Sequence, residues 1–163
     1  MPQPRSPQFG AILFRASERV GQQGQDAFSA LGIPLDARKV SIVLALHRHG
    51  PLSSSELADR IGHSRQLIEA RLKPVVADGF LVSRRDPRDS RKRIYDFAPA
   101  AAPIVDEIVS VMADFERVYE ALWEELGIDL EQALLKFEAA LAERALLERL
   151  TDRFPHHRRE ASA

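Results

Sequence analysis

Residues 52–97 read LSSSELADRIGHSRQLIEARLKPVVADGFLVSRRDPRDSRKRIYDF, and this stretch predicts two helices, a turn between them and a basic hairpin. Ser53 opens an S-x-x-E box with Glu56. In such a box the hydroxyl accepts from a first-turn amide and the carboxylate reaches back. Ser54 is an alternative cap, so the boundary is open by a residue. Leu57, Ala58 and Ile61 supply the apolar side, and Gly62 allows the left-handed backbone that ends a helix. Ser64 caps a second helix, expected from Arg65 to Ala77, with Ile68, Leu72 and Val75 at i, i+4 and i+7 as its buried stripe. Pro74 is expected to kink that helix or loosen its second half. Asp78-Gly79 is its stop.

The other face of the second helix carries Arg65, Gln66, Glu69, Ala70 and Lys73. Free amides at a helix start favour a phosphate. An Arg side chain matches guanine O6 and N7, and a Gln side chain matches adenine N6 and N7. Arg65 and Gln66 are therefore assigned to base edges or adjoining phosphates, with Ser53, Ser64 and Lys73 as further contacts. Glu69 either accepts from cytosine N4 or neutralises Arg65 four residues earlier. Taken alone, such a face also fits plain solvation.

The following segment favours nucleic acid. Phe80, Leu81 and Val82 begin one strand, and Ile94, Tyr95 and Phe97 supply another. Between them RRDPRDSRKR, residues 84–93, holds six basic and two acidic side chains. Asp-Pro and Asp-Ser form turns, and a basic tip of this size fits a groove of negative potential. Arg84, Arg88, Arg91 and Arg93 are the candidate contacts.

At this point the chain resembles the MarR family of transcriptional regulators. The resemblance is carried by HGPLSSSELADRIGHS and VVADGFLVSRRDPRDSRKRIYDFAPAA, and it extends from about Phe9 to Leu150. The family's D-x-x-D-x-R wing element maps onto Asp86, Asp89 and Arg91. The resemblance implies that Asp86 and Asp89 hold the wing arginines in place, with Asp89 the positioner and Arg91 or Arg88 entering the minor groove. It also implies a small-molecule effector in a cleft beside the reading unit, with Phe14, Arg15, Phe28 and His47 as candidate lining and a small aromatic or phenolic compound as candidate ligand.

Composition sets the bounds. The 163 residues carry a formal net charge of −1, which by itself argues against a nucleic-acid binder. The distribution reverses that inference: residues 38–93 hold 13 basic and 6 acidic side chains, and residues 104–140 hold 2 basic and 10 acidic. Positive potential is thereby concentrated on one module. The absence of cysteine fits a reducing compartment and excludes thiol sensing and Cys-ligated zinc. No hydrophobic signal core or membrane-length apolar run is present, so a cytoplasmic protein is expected.

The flanks read as a helical layer. Residues 1–8 contain three prolines and are expected to be mobile. A helix over residues 9–31 is weakened or bent at Gly21 and Gly24, by about 1 kcal/mol per glycine. Asp36 caps a helix reaching His49, whose Val40, Val43, Leu44 and Leu46 make it central. A long helix over residues 99–126 carries Ile104, Ile108, Val111, Phe115, Val118 and Leu122 as a seam, and a last helix runs from Asp129 to about Thr151. The tail is residues 153–163.

The expected fold is mainly α with a small β-wing: a winged helix-turn-helix over residues 36–98, flanked by an N-terminal helix (9–35) and C-terminal helices (99–152) that form a dimerisation layer. So much apolar surface asks for a partner, and a twofold homodimer is expected. The expected function is a repressor of a pseudo-palindromic operator on double-stranded DNA, released by an effector. A winged-helix protein-interaction module that never touches DNA is the alternative. His47 and His49 diverge on a helix and His156-His157 is a tail pair, so no metal site is expected. Ser53–Ser55 lack a spaced His base, no phosphate loop is present, and neither catalysis nor a cofactor is expected.

Overall fold

The computed structural model describes residues 8–87 and 89–157, and the expectations for residues 1–7, for Arg88 and for residues 158–163 lie outside them. The chain divides into two compact units, Met1–Met112 and Ala113–Ala163. The division falls inside a helix.

The first unit begins with α1, Phe9–Ala30. Gln8, placed in the N-terminal segment from sequence, is its N-cap residue. The helix runs unbroken through Gly21 and Gly24. Gly24 lies where α1 meets a short 3-10 turn, Ala37–Lys39; a Cβ there would make ordinary contact with the Ala37 Cβ at 3.8 Å. Gln25 Oε1 accepts from the Ala37 amide at 2.9 Å, tying the helix to the turn. Asp36 caps that turn, which leads into α2, Val40–His49.

Next comes the two-residue β1, Leu52–Ser53, then α3, Ser54–Ile61, and α4, Arg65–Ala77. The capping box is complete at the start of α3, and Gly62 adopts φ 73°, ψ 29° at its end. Ser64 Oγ accepts from the Leu67 amide at 3.2 Å and caps α4. α4 has the bounds expected from the sequence and continues past Pro74 to Ala77. Leu72 and Val75, on either side of Pro74, are buried.

The strands β2, Leu81–Arg85, and β3, Arg93–Phe97, pair antiparallel, and β1 joins the far edge of β3. The sheet order is β1-β3-β2. Register sets Leu81 opposite Phe97 and Arg85 opposite Arg93. The core of this region is Ile42, Leu46, Leu52, Leu57, Ala58, Ile68, Leu72, Val75 and Leu81. Phe80 and Phe97 meet edge to face at 6.1 Å and pack against it, partly buried. One apolar mass therefore packs α2, α3, α4 and the start of the hairpin together.

After a 3-10 turn at Pro99–Ala101 comes α5, Ala102–Leu126, whose first turns bury Val105 and Ile108. The second unit holds the rest of α5, then α6, Leu130–Glu143, and α7, Leu146–Arg153. The single last helix expected from sequence is two. Arg144 and Ala145 are extended, and the Arg149 guanidinium donates to the carbonyls of Ala140 and Arg144. Arg144 also pairs with Asp152. The Ala140 carbonyl also accepts from the Arg144 amide, so Arg149 ties the end of α6 to the start of α7 in addition to the helix ladder. Along α5, Phe115, Tyr119 and Trp123 form a ladder, the last two stacked at 5.7 Å with 18° between planes. Among the described residues no helix is long and apolar enough to cross a membrane.

Candidate nucleic-acid interface

The start of α4, the start of α3 and the second wing strand converge on one cleft. It is about 340 Å³, lined by Ser53, Ser54, Ser55, Arg65, Glu69, Arg91, Lys92, Arg93 and Tyr95. The convergence follows from local order. Cross-strand pairing sets Ser53 opposite Ile94 and Leu52 opposite Tyr95, so the N-terminus of α3 abuts the wing. Ser53 and Ser64 cap the two helices whose N-terminal ends lie near this surface. A second cleft of about 440 Å³ lies between α4 and the wing, lined by Glu69, Leu72, Lys73, Val76, Ala77, Ser83, Arg93 and Tyr95.

Of the residues singled out from sequence, Ser53, Arg65, Glu69, Arg91 and Arg93 line the first cleft, and Lys73 the second. Ser64 and Gln66 are exposed at the start of α4. Arg84 is exposed on β2 and lies 3.9 Å from Asp96 across the hairpin. Ser54, Ser55, Lys92 and Tyr95 were not singled out. Lys92 stood in the basic run, and Tyr95 shares a strand face with Arg93 at a spacing of two, which was the available signal.

Arg65 and Glu69 are joined. Arg65 Nε donates to Glu69 Oε1 at 2.7 Å, and Ser54 Oγ donates to the same oxygen at 3.2 Å. The Arg65 bond, then the Ser54 bond, holds the Glu69 carboxyl below its ordinary range. Of the two sequence readings of Glu69, pairing with Arg65 is the one realised in the free protein.

The wing loop has internal order. The Asp86 amide donates to the Lys92 carbonyl and the Lys92 amide to the Asp89 carbonyl, both at 2.9 Å. Asp89 Oδ1 accepts from the Arg91 amide at 3.1 Å and lies 3.9 Å from Arg91 Nε. The Arg91 side chain is 94% exposed, so its backbone is set while its charge stays in solvent.

The residues suggested for an effector differ in exposure. Phe28 is buried in the first unit, Phe14 is 63% exposed, and Arg15 and His47 are exposed. A cavity of about 510 Å³ lies elsewhere in that unit, lined by Ser17, Glu18, Gly21, Gln22, Gln25, Arg38 and Arg71. Among the described residues no cluster of three or more His, Asp or Glu could hold a metal ion.

A helix-turn-helix whose second helix and adjoining basic hairpin share one cleft defines a winged helix-turn-helix protein. Residues 33–92 match the model of the MarR family. The transcriptional regulator AdcR of Streptococcus pneumoniae serotype 2 (strain D39 / NCTC 7466) is 26% identical over 99 residues, 61% of this chain and 68% of that protein. Among solved structures, the transcriptional repressor CouR bound to a 23-mer DNA duplex is similar at 26% identity and TM-score 0.62, covering 82% of this chain and 92% of that one. The MepR–DNA complex of S. aureus shares the fold at 14% identity and TM-score 0.68, covering 82% and 98%. Over its winged helix-turn-helix the chain is thus similar to the MarR family of transcriptional regulators.

Proposed function

We propose that this regulator is a homodimeric repressor that grips a pseudo-palindromic operator through α4 and the wing and lets go when a small molecule binds. The observation that carries DNA binding is the shared cleft, in which cationic side chains from α4 and β3 face the same space as the α3 start. CouR, one of the similar structures, was solved on a DNA duplex.

A dimer is supported by what the chain leaves uncovered. Among the described residues of the second unit none is buried, although α6 and α7 carry Leu135, Leu146, Leu147 and Leu150. Phe9, Ile12, Leu13 and Phe14 on α1 are likewise exposed. Apolar surface of that extent asks for a self-complementary partner. Two reading heads on a twofold axis then fall in successive major grooves, ~34–36 Å apart. For the effector, the cavity beside Arg38 and Arg71 has the size of a small-ligand site, roughly 300–1,000 Å³, and offers cations to an aromatic acid.

Duplex binding measured by fluorescence anisotropy between 50 and 200 mM salt tests the reading. The affinity is expected to fall linearly on a log-log plot, with a slope of about −0.9 per neutralised phosphate. Salt-insensitive binding, or none to any duplex selected from the source genome, overturns it. Sedimentation of the full chain as a monomer at micromolar concentration overturns the dimer.

A further inference from the structure

We propose that Glu69 is a positioning residue for base recognition: anchored to Ser54 and bonded to Arg65 Nε, it aims the outer edge of the Arg65 guanidinium as a two-pronged reader of guanine. This rests on the DNA-binding reading above and names how that surface selects sequence.

The geometry is specific. One oxygen, Glu69 Oε1, receives donors from two helices: Ser54 at the start of α3 and Arg65 at the start of α4. The three side chains sit together in the cleft that also holds Arg91, Lys92 and Arg93. A guanidinium can meet a planar acceptor pair through Nε with one terminal nitrogen, or through its two terminal nitrogens. Occupying Nε removes the first mode and leaves the end-on fork, whose two parallel donors match guanine O6 and N7. Among the described residues Arg65 forms this one ion pair. Its side chain remains 67% exposed, so the fork is available.

A plain surface pair would give the same distance. An exposed ion pair contributes little to stability, and a carboxylate in a cleft facing phosphates costs affinity. What such a carboxylate offers in return is orientation: a flexible arginine is held in its reading geometry before the duplex arrives. The arrangement therefore trades electrostatic affinity for selectivity. Without Glu69, Arg65 is free to swing onto a phosphate.

The test uses the full-length protein, Glu69→Gln, Glu69→Ala, Arg65→Ala and the double variant Arg65→Ala/Glu69→Ala. Each selects duplexes from a random pool. The selected wild-type duplex is then compared with copies carrying 7-deazaguanine, which lacks the N7 acceptor, at each guanine in turn. One guanine per half-site is expected to lose about tenfold in wild-type affinity on replacement. Glu69→Gln keeps an acceptor for Nε and Ser54 and is expected to keep that discrimination, with higher overall affinity. Glu69→Ala is expected to lose most of it, to bind unselected duplex more tightly, and to steepen the salt dependence by about one phosphate contact. In the Arg65→Ala background, removing Glu69 is expected to change discrimination no further. Full guanine discrimination in Glu69→Ala, or an equal loss in Glu69→Gln and Glu69→Ala, overturns the inference while leaving DNA binding intact. Failure of the wild-type protein to retain any duplex overturns the DNA-binding reading and this inference together.

Discussion

Ser53 and Glu56 lock the first turn of α3 to each other. Glu56 Oε2 accepts from the Ser53 amide at 2.8 Å and from Ser53 Oγ at 2.6 Å, while the Glu56 amide donates back to Ser53 Oγ at 3.3 Å. Because Ser53 also pairs with Ile94, the same residue joins the turn to the wing.

Ser53→Ala is therefore expected to cost about 1 kcal/mol of stability, read by urea titration. The loss has a pH signature. The bonds from Ser53 hold the Glu56 carboxyl below its ordinary value of 4.5. A carboxylate depressed in the folded state stabilises above its unfolded value, and the benefit disappears as pH falls through the folded value. The gap between wild type and Ser53→Ala is expected to be full at neutral pH and to narrow on acidification below about pH 4.5. A gap that widens in acid contradicts the assignment.

Pro74 interrupts the hydrogen-bond ladder of α4 without ending the helix. Pro74→Ala restores a donor to the ladder on an exposed position and is expected to stabilise the protein by about 1–3 kcal/mol. The measurement is the urea midpoint, with an unchanged slope as the control for two-state behaviour.

Arg91 projects from a loop whose backbone is fixed by Asp89. Arg91→Ala is expected to weaken duplex binding across sequences and to reduce the log-log salt slope by about one unit. If the side chain lies in the minor groove, the preference for A·T-rich flanks falls as well. Asp89→Ala is expected to reproduce part of the loss by freeing the Arg91 amide, which anisotropy on the same duplexes reads directly.

Leu147 on α7 is 67% exposed and Phe14 on α1 is 63% exposed. Introducing charge at either place, Leu147→Glu or Phe14→Glu, is expected to shift the protein toward monomer in sedimentation and to lower operator affinity with it. A variant that stays dimeric places the interface elsewhere.

Much of the winged region was legible because each boundary has a local chemical cause. Ser53, Gly62 and Ser64 mark α3 and α4 through caps and a left-handed residue, and the apolar residues Ile94, Tyr95 and Phe97 mark the strand. The Ser54–Glu69 bond was not legible. Its partners are fifteen residues apart and meet only after the helices pack. The break between α6 and α7 was hidden for a related reason. No glycine or proline signals it, and the arginine that donates to the carbonyls there lies beyond it in the chain. Pro74 and the α1 glycines lie inside helices whose apolar periodicity continues past them.

The aromatic ladder on α5 has an optical consequence. Trp123 is the sole indole of the chain and lies against Tyr119. Intrinsic emission excited at the red edge of the ultraviolet band therefore originates at this helix, while α4 and the wing contribute none. Quenching or a spectral shift on adding a ligand or a duplex would come from the C-terminal helices, giving a label-free signal from the end of the protein remote in sequence from the reading helix.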